Sequence, residues 1–236
     1  MNERDPRHKY SHSFRNTDGW WSRGYLPHFD ASNLMHFVTV RLADSLPQCV
    51  HAALRKELAH LKATSTNNVD LGQVRQLRLE KIIDAGHGSC VLRRPEVSCV
   101  VIESMQFLCA QGHTIARWVI MPNHLHLLIT VHPARRLSSV LRSFKGFTAQ
   151  RANQVLGTSG PFWFPEYFDR YIRDAEHYSR AVRYIDTNPV RAGLVENAAD
   201  WKLGSAGWRP VTPVTPQPPR TAELPLRQLL ASRFKQ

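Results

Sequence analysis

The hydrophobic positions of the chain follow two periods, and each period predicts a different kind of element. Short runs rich in β-branched and aromatic residues predict strands. These runs lie at 36–43, 113–121, 124–131 and 167–174. Longer stretches with apolar residues at helical spacing predict helices. Those stretches lie at 45–63, 69–84, 94–112, 134–157 and 175–187, the last being stopped by Pro189.

The order of these elements predicts a fold class. Strand, helices, hairpin, helix, strand and helix correspond to a β-α-β-β-α-β arrangement, which is the ferredoxin-like α+β sandwich. The turn-like pair Pro122-Asn123 joins the two hairpin strands, which we expect at the centre of an antiparallel sheet. We expect the helices to cover one face of that sheet, with extra helices and an extended C-terminal tail added to it.

Composition divides the chain into three parts. Residues 1–23 are polar and weakly patterned, which predicts a flexible N-terminal arm. Residues 24–208 contain the predicted elements and form one expected domain. Residues 209–236 hold six of the 15 prolines, which indicates a Pro-rich linker and a short basic tail.

Composition also bounds the function. The 236 residues are 42% hydrophobic, as in a globular protein, and contain no apolar run of the ~20 residues that a membrane span needs. The N-terminus lacks the apolar core of a signal peptide, so we expect a cytoplasmic protein. The four cysteines show neither a CxxC pair nor a zinc spacing, and we interpret them as reduced thiols.

The net charge of +12 favours a polyanionic partner. From Ser104 to Pro165 the chain contains no Asp or Glu at all, although six Arg and Lys residues lie within that span. Ordinary surfaces mix both signs of charge. We therefore interpret the acid-free span as part of a nucleic-acid interface rather than as a merely solvated face.

The stretch MPNHLHLL, residues 121–128, places two imidazoles in an apolar run. Side chains at i and i+2 of a strand share a face, so His124 and His126 point the same way while Leu125 and Leu127 pack on the opposite face. Two imidazoles so placed can bind one metal ion. They can also be ordinary core histidines, and the pair alone does not decide between these interpretations.

The stretch RYIDTNPVRAGLV, residues 183–195, adds a candidate nucleophile and a polar side chain. Helical spacing places Tyr184 at the border of the apolar stripe on the preceding helix, whereas Tyr178 lies in the middle of that stripe. Tyr184 and Asn188 are one turn apart, so their side chains can converge. The proline after Asn188 predicts that Asn188 lies at a frayed helix end.

Together, MPNHLHLL and YIDTNPVRAGLV resemble the single-tyrosine transposases of the HUH superfamily, and among them the REP-associated tyrosine transposases. The resemblance extends from Gly24 to about Trp201 and includes the segment PFWFPEYFDRYIRDAEHY. It implies the same ferredoxin-like fold, known in this family as the HUH endonuclease fold.

The resemblance also implies roles for the singled-out residues. His124 and His126 would be metal ligands, Asn188 the third ligand and Tyr184 the nucleophile. The cofactor would be a divalent metal, Mg²⁺ or Mn²⁺. Imidazole ligands favour Mn²⁺ in affinity, whereas Mg²⁺ is abundant in cells.

The implied substrate is single-stranded DNA, with repeat hairpins as the implied target and the nucleoid as the site of action. The residues expected to bind DNA share a positive charge and lie in the acid-free span or near the last strand: Arg135, Arg136, Arg142, Lys145, Arg151, Arg170 and Arg173. The sequence leaves open whether the protein acts as a monomer or as a homodimer.

Two alternatives to the transposase interpretation remain at this point. One is a catalytically inactive DNA-binding protein that descends from such a transposase. Four intact candidate residues argue against it. The other is a metal-dependent hydrolase of a different substrate, but the chain lacks the clustered carboxylates that are usual in such sites.

Overall fold

The structure is a computed structural model. It describes residues 34–46 and 71–207, the short stretches 14–15, 20–22 and 27–29, and single positions between 50 and 60. Most of the helix predicted over 45–63 lies outside the described residues, as do the break after it and the Pro-rich tail. No helix in the described part of the chain combines the length and apolarity that crossing a membrane requires.

Two antiparallel sheets form the β-structure of the described chain. The smaller sheet consists of β1 (Phe14–Arg15), β2 (Trp20–Ser22) and β3 (Pro27–Phe29) in sequential order. Its first two strands therefore lie within the segment assigned to the N-terminal arm. The larger sheet consists of β4 (Met35–Arg41), β5 (Thr114–Ile120), β6 (His124–Thr130) and β7 (Phe168–Tyr171), in the order β5-β6-β4-β7.

Four α-helices are assigned in the described chain: α1 (Leu71–Asp84), α2 (Pro95–Ala110), α3 (Leu137–Leu156) and α4 (Ala175–Arg191). The larger sheet and the helices between its strands have the connectivity of the ferredoxin-like sandwich, with the first and third strands adjacent at the centre. The predicted α+β fold class is therefore confirmed. The prediction that both hairpin strands are central is wrong: β6 is central, but β5 lies at the edge because β4 pairs with β6 between it and β7.

The register of the larger sheet separates two faces. Thr39 pairs with His126, and Val119 pairs with His126 from the other side. Paired residues point to the same face, so these side chains share what we call the histidine face. Leu125 and Leu127 alternate with the histidines and point to the opposite face, as the sequence predicts.

The two faces carry separate cores. On the face opposite the histidines, α2 and α3 pack against β4 and β6 through side chains such as Val101, Leu141 and Leu127. On the histidine face, α4 packs through Ala181 and Ile185 against a smaller cluster that includes Phe37. The expectation that helices cover one face holds for the two crossover helices, but α4 lies on the other face.

The prediction that Pro189 stops the last helix is wrong. Helix α4 continues through Pro189 to Arg191, and the Ala192 N–H donates to the Asn188 carbonyl at 2.9 Å. A proline inside a helix costs about 3 kcal/mol. Because Asn188 and Pro189 are both buried against the sheet, packing of this last turn offsets that cost. Asn188 is thus held in a helix rather than at a frayed end.

The cysteines of the described chain are free thiols, namely Cys90, Cys99 and Cys109. This agrees with the interpretation from the sequence for these three, whereas Cys49 lies outside the described residues.

The loop after α1 approaches the end of β4 closely at Gly88. A Cβ on Gly88 would lie 2.7 Å from the Asp44 carbonyl oxygen, and its φ of +90° also favours glycine. We expect Gly88→Ala to lower the free energy of unfolding by about 2 kcal/mol or more. Gly86→Ala is the matched control, because Gly86 has a φ of +74° but open space around it. It should cost about 1 kcal/mol. Urea unfolding of both variants measures the difference, and equal losses would contradict the close approach.

Candidate active site

Three elements bring polar groups together on the histidine face. Strand β6 begins with His124, so both imidazoles lie at the end of the sheet where the β5–β6 turn occurs. Helix α4 crosses this face and carries Tyr184 and Asn188. Helix α1 ends at Asp84, close to His124. The site is therefore assembled from segments up to a hundred residues apart in the chain.

The two imidazoles point their Nε2 atoms at each other. These two atoms are 3.0 Å apart, and the rings cross at 76°. Both side chains are buried, each residue being 1% exposed. The pair is thus closed off from bulk water.

Asn123 determines the tautomer of His124. The Asn123 Nδ2 donates to two backbone carbonyls, those of Ile83 at 3.0 Å and His87 at 2.9 Å. Its Oδ1 is therefore the atom that faces His124 Nδ1, at 2.7 Å. An amide oxygen only accepts, so Nδ1 must carry the proton. The Nε2 of His124 is left with its lone pair directed into the site.

The second imidazole is held from two sides. His126 Nδ1 lies 2.9 Å from the Thr39 hydroxyl on the neighbouring strand. The Phe37 ring stacks on the imidazole with 5.3 Å between centroids. When Nδ1 donates to Thr39, the His126 Nε2 also presents a lone pair to the site.

Burial keeps both rings neutral. Desolvation lowers the pKa of His124 to about 3 and the pKa of His126 well below its ordinary value. Two neutral nitrogen lone pairs 3.0 Å apart repel each other unless a proton or a cation lies between them. This arrangement fits a divalent metal, for which neutral imidazole is a common ligand.

Two oxygen groups complete a possible ligand set. Asp84 Oδ1 lies 3.5 Å from His124 Nε2, and the amide nitrogen Nδ2 of Asn188 lies 3.5 Å from His126 Nε2. The Oδ1 atoms of Asp84 and Asn188 are both buried without a hydrogen-bond partner. Oxygen atoms left unpaired beside two imidazoles suit a cation, and Asp84, His124 and His126 offer ligand atoms within 4.8 Å of one another.

Burial raises the pKa of Asp84 to about 6, and the positive charge of Arg191 partly opposes this effect. The carboxylate is therefore close to its protonation midpoint in a mildly acidic solution. A protonated carboxyl group is a poor metal ligand.

Tyr184 packs beside the histidine pair. Its ring centroid lies 5.2 Å from that of His126 and 5.6 Å from that of Phe37, in edge-to-face contacts. The hydroxyl oxygen is buried without a hydrogen-bond partner. Burial, together with the negative charges of Glu80 and Asp84, raises the pKa of the phenol well above its usual range. The hydroxyl is therefore protonated at neutral pH.

The basic residues predicted to bind DNA lie in different places relative to this site. Arg170 pairs with Phe37 across β4 and β7, so it lies on the histidine face at the sheet edge. Arg173 is exposed just before α4. Arg135 and Arg136 follow the end of β6 that is remote from the histidines.

The remaining three belong to α3, on the opposite side of the sheet. Arg142 is exposed. The Lys145 ammonium donates to the carbonyls of Phe164 at 2.8 Å and Pro165 at 2.6 Å, which gives it a structural role. The Arg151 guanidinium donates to the Gln154 side chain at 3.0 Å.

Three residues of the site were not found from the sequence. Asp84 and Glu80 lie on α1, about forty residues before the histidines, and no spacing rule connects them to β6. Asn123 directly precedes His124, and its position was interpreted only as part of a turn. Its side chain, fully buried between two carbonyls and an imidazole, shows a further role.

Comparison with known families agrees with the motifs in this site. Residues 92–188 match the model of the family described as "Transposase IS200 like". The matched segment contains both histidines, Tyr184 and Asn188. The predicted resemblance is therefore confirmed: residues 92–188 are similar to the IS200-like transposases.

The chain is also similar to particular known proteins. The chain is 31% identical over 92 residues to a REP-associated tyrosine transposase of Escherichia coli strain K12. That match covers 39% of this chain and 53% of the relative, so the chain spans about half the length of the curated relative it matches. A solved structure of a REP-associated tyrosine transposase bound to a REP hairpin overlays at a TM-score of 0.47 and 19% identity, over 75% of this chain and 79% of that one.

The tautomer of His124 can be measured directly. We expect long-range ¹⁵N–¹H correlation spectra to show His124 protonated at Nδ1, because the Asn123 Oδ1 can only accept. Asn123→Leu removes this acceptor and should allow a mixture of tautomers, whereas Asn153→Leu on α3 should leave the His124 signals in place. A wild-type spectrum with the proton on Nε2 would contradict the hydrogen-bond arrangement.

The acidity of Asp84 predicts a pH dependence of metal binding. The affinity for Mn²⁺ should weaken as the pH falls through about 6, because the Asp84 carboxylate then becomes protonated. Titration with Mn²⁺, followed by electron paramagnetic resonance from pH 5 to 8, measures this dependence. Asp84→Asn should bind Mn²⁺ more weakly. Its affinity should also lose the dependence on pH in this range, because the pKa values of both histidines lie lower.

Asp186→Asn is the control for this titration. Burial also raises the pKa of Asp186, but its carboxylate faces Arg117 rather than the histidines. The control should therefore keep the wild-type slope. An unchanged slope in Asp84→Asn would exclude Asp84 from the ligand set.

Proposed function

We propose that the protein is a metal-dependent DNA strand transferase that cleaves single-stranded DNA through Tyr184 and holds the cleaved strand as a 5′-phosphotyrosine. The observation that carries this proposal is the 5.2 Å contact between the rings of Tyr184 and His126, beside the paired Nε2 atoms. The family of residues 92–188 supports the same chemistry.

In this proposal His124, His126, Asn188 and Asp84 hold a divalent metal, Mg²⁺ or Mn²⁺. The bound cation supplies a Lewis acid that offsets negative charge on the phosphodiester. The neutral imidazoles leave most of the charge of such a cation uncompensated. The carboxylate of Asp84 offsets part of it.

The covalent step exchanges one phosphoester bond for another. The Tyr184 oxygen forms a bond to phosphorus, and the bond between phosphorus and the 3′ oxygen breaks. The phenolic proton passes to a carboxylate facing the hydroxyl, for which Glu80 is our candidate. The departing oxygen takes up a proton and becomes a free 3′-OH. Because the number of phosphoester bonds is conserved, a second 3′-OH can reverse the step and join strands without ATP.

The raised pKa of the Tyr184 phenol makes proton removal a substantial part of the barrier in the free protein. A half-buried base such as Glu80 lowers this barrier only when the charges around the phosphate are balanced. The proposal therefore requires both the cation and a correctly positioned DNA strand before attack occurs.

Single-stranded DNA is the proposed substrate because a flexible strand can place one phosphate in a buried site. Repeat hairpins are the proposed target, in line with the resemblance to REP-associated tyrosine transposases. Arg170 and Arg173 are candidates to guide DNA on the histidine face. Arg135, Arg136, Arg142 and Arg151 would contact flanking DNA that extends around the sheet. The bonds of the Lys145 ammonium to two carbonyls oppose the predicted DNA contact of that residue. A chromosomal substrate would place the protein at the nucleoid in the cytoplasm.

A covalent-capture assay tests this function. The full chain is incubated with Mn²⁺ and labelled single-stranded DNA that folds into repeat-type hairpins, and denaturing gels report covalent adducts. The wild type should form an adduct that disappears with EDTA, and Tyr184→Phe should form none while still binding the hairpins. Tyr178→Phe, on the same helix, should capture DNA like the wild type.

Two other outcomes separate the alternatives. Hairpin binding by the wild type without any adduct would favour an inactive, DNA-binding descendant of a transposase. An undiminished adduct in Tyr184→Phe would show that another residue is the nucleophile. Mass measurement of the protein alone in solution would decide between a monomer and a homodimer.

A further inference from the structure

Arg191 lies on the same side of α4 as the two site residues of that helix. It follows Tyr184 by seven positions and Asn188 by three. At about 100° per residue these three side chains fall within roughly 60° of one another around the helix axis. Arg191, the first residue of the sequence RAGLV, is therefore aligned with Tyr184 and Asn188.

The contacts of Arg191 place its guanidinium at the edge of the site. The guanidinium carbon lies 4.8 Å from the centroid of the Tyr184 ring. Its charge lowers the pKa of both Asp84 and His126, which requires proximity to these buried groups. The residue is nevertheless exposed, so the guanidinium lies between the buried polar cluster and solvent.

The donors of Arg191 are available to a ligand. Among the described residues, Arg191 makes no ion pair within 4.0 Å. Two other arginines in this part of the structure do have acidic partners: Arg117 faces Asp186 at 3.8 Å, and Arg180 pairs with Glu176. Packing on the Tyr184 ring occupies one face of the guanidinium and leaves its N–H groups around the rim.

A phosphodiester has two non-bridging oxygens, and a metal at the histidine pair can neutralise only the one it contacts. The second oxygen needs another positive group, and the planar guanidinium is well suited to phosphate. A phosphate attacked by the Tyr184 hydroxyl must lie next to that ring, which is where Arg191 is stacked. The Arg191 guanidinium is thus placed on the side of the proposed nucleophile, Tyr184.

We propose that Arg191 binds the second non-bridging oxygen of the scissile phosphate and stabilises its charge during attack by Tyr184. This inference rests on the proposed function. Arg191 gains and loses no proton in the step. Its stacking on Tyr184 keeps the donor in position, so little reorganisation is needed when DNA binds.

Stereospecific phosphorothioates test this role. Hairpins with sulfur at either non-bridging oxygen of the cleaved phosphate are compared for the rate of adduct formation by the wild type, Arg191→Ala and Arg191→Lys. Arg191→Ala should slow adduct formation with normal DNA by about 100-fold. Arg191→Lys should recover part of this loss, because it restores the charge without the planar set of donors.

The phosphorothioates supply the readout that a structural role would not affect. In the wild type, sulfur at one oxygen should slow the reaction in a way that depends on the metal used, and sulfur at the other oxygen should slow it irrespective of the metal. The second effect should disappear in Arg191→Ala. Arg183→Ala, an exposed arginine on another side of α4, should behave like the wild type with all three substrates.

Each outcome bears on one claim. Adduct formation by Arg191→Ala within twofold of the wild type, or an unchanged sulfur effect at both oxygens in that variant, overturns the role of Arg191 alone. A wild type that forms no adduct with any hairpin overturns the proposed function and the role of Arg191 with it. Melting temperatures of the variants show whether slow reaction has a structural cause.

Discussion

Two buried imidazoles with their Nε2 atoms 3.0 Å apart impose the main constraint on this structure. Neutral nitrogen lone pairs at that separation repel each other, and burial prevents the rings from relieving the repulsion by becoming charged. The surrounding fold holds the pair in place. Thr39 and Phe37 hold His126 from the neighbouring strand, and Asn123 holds His124 from the turn. The cation of the proposed function would relieve this repulsion.

The same hydrogen bonds that orient His124 also connect the site to α1. Because the Asn123 amide donates to the carbonyls of Ile83 and His87, it holds the turn on both sides of Asp84. The position of the carboxylate and the tautomer of the imidazole therefore depend on one side chain. Helix α4 supplies Tyr184, Asn188 and Arg191 from a single face. The proposed nucleophile, the amide and the exposed guanidinium therefore belong to one element.

Much of the fold was predictable because its local signals are strong. The alternation in HLHLLIT predicted which side chains of β6 share a face, and the apolar stripe of α4 predicted Ala181 and Ile185 as core residues. Tyr184 was predicted at the border of that core, where it lies. The end of α4 was predicted wrongly, because a local rule for the residue before proline cannot include the burial of Asn188 and Pro189 against the sheet.

The strand period, the helix stripes and the two motifs were predictable because they depend on residues close together in the chain. Which distant groups join them depends on how the elements pack. Asp84 and Glu80 approach the site only because α1 ends on the histidine face, and the basic residues of α3 lie on the other face because Leu137, Leu141 and Phe144 pack there. Local periodicity specifies the direction of a side chain relative to its own element, whereas the packing of elements specifies which side chains meet.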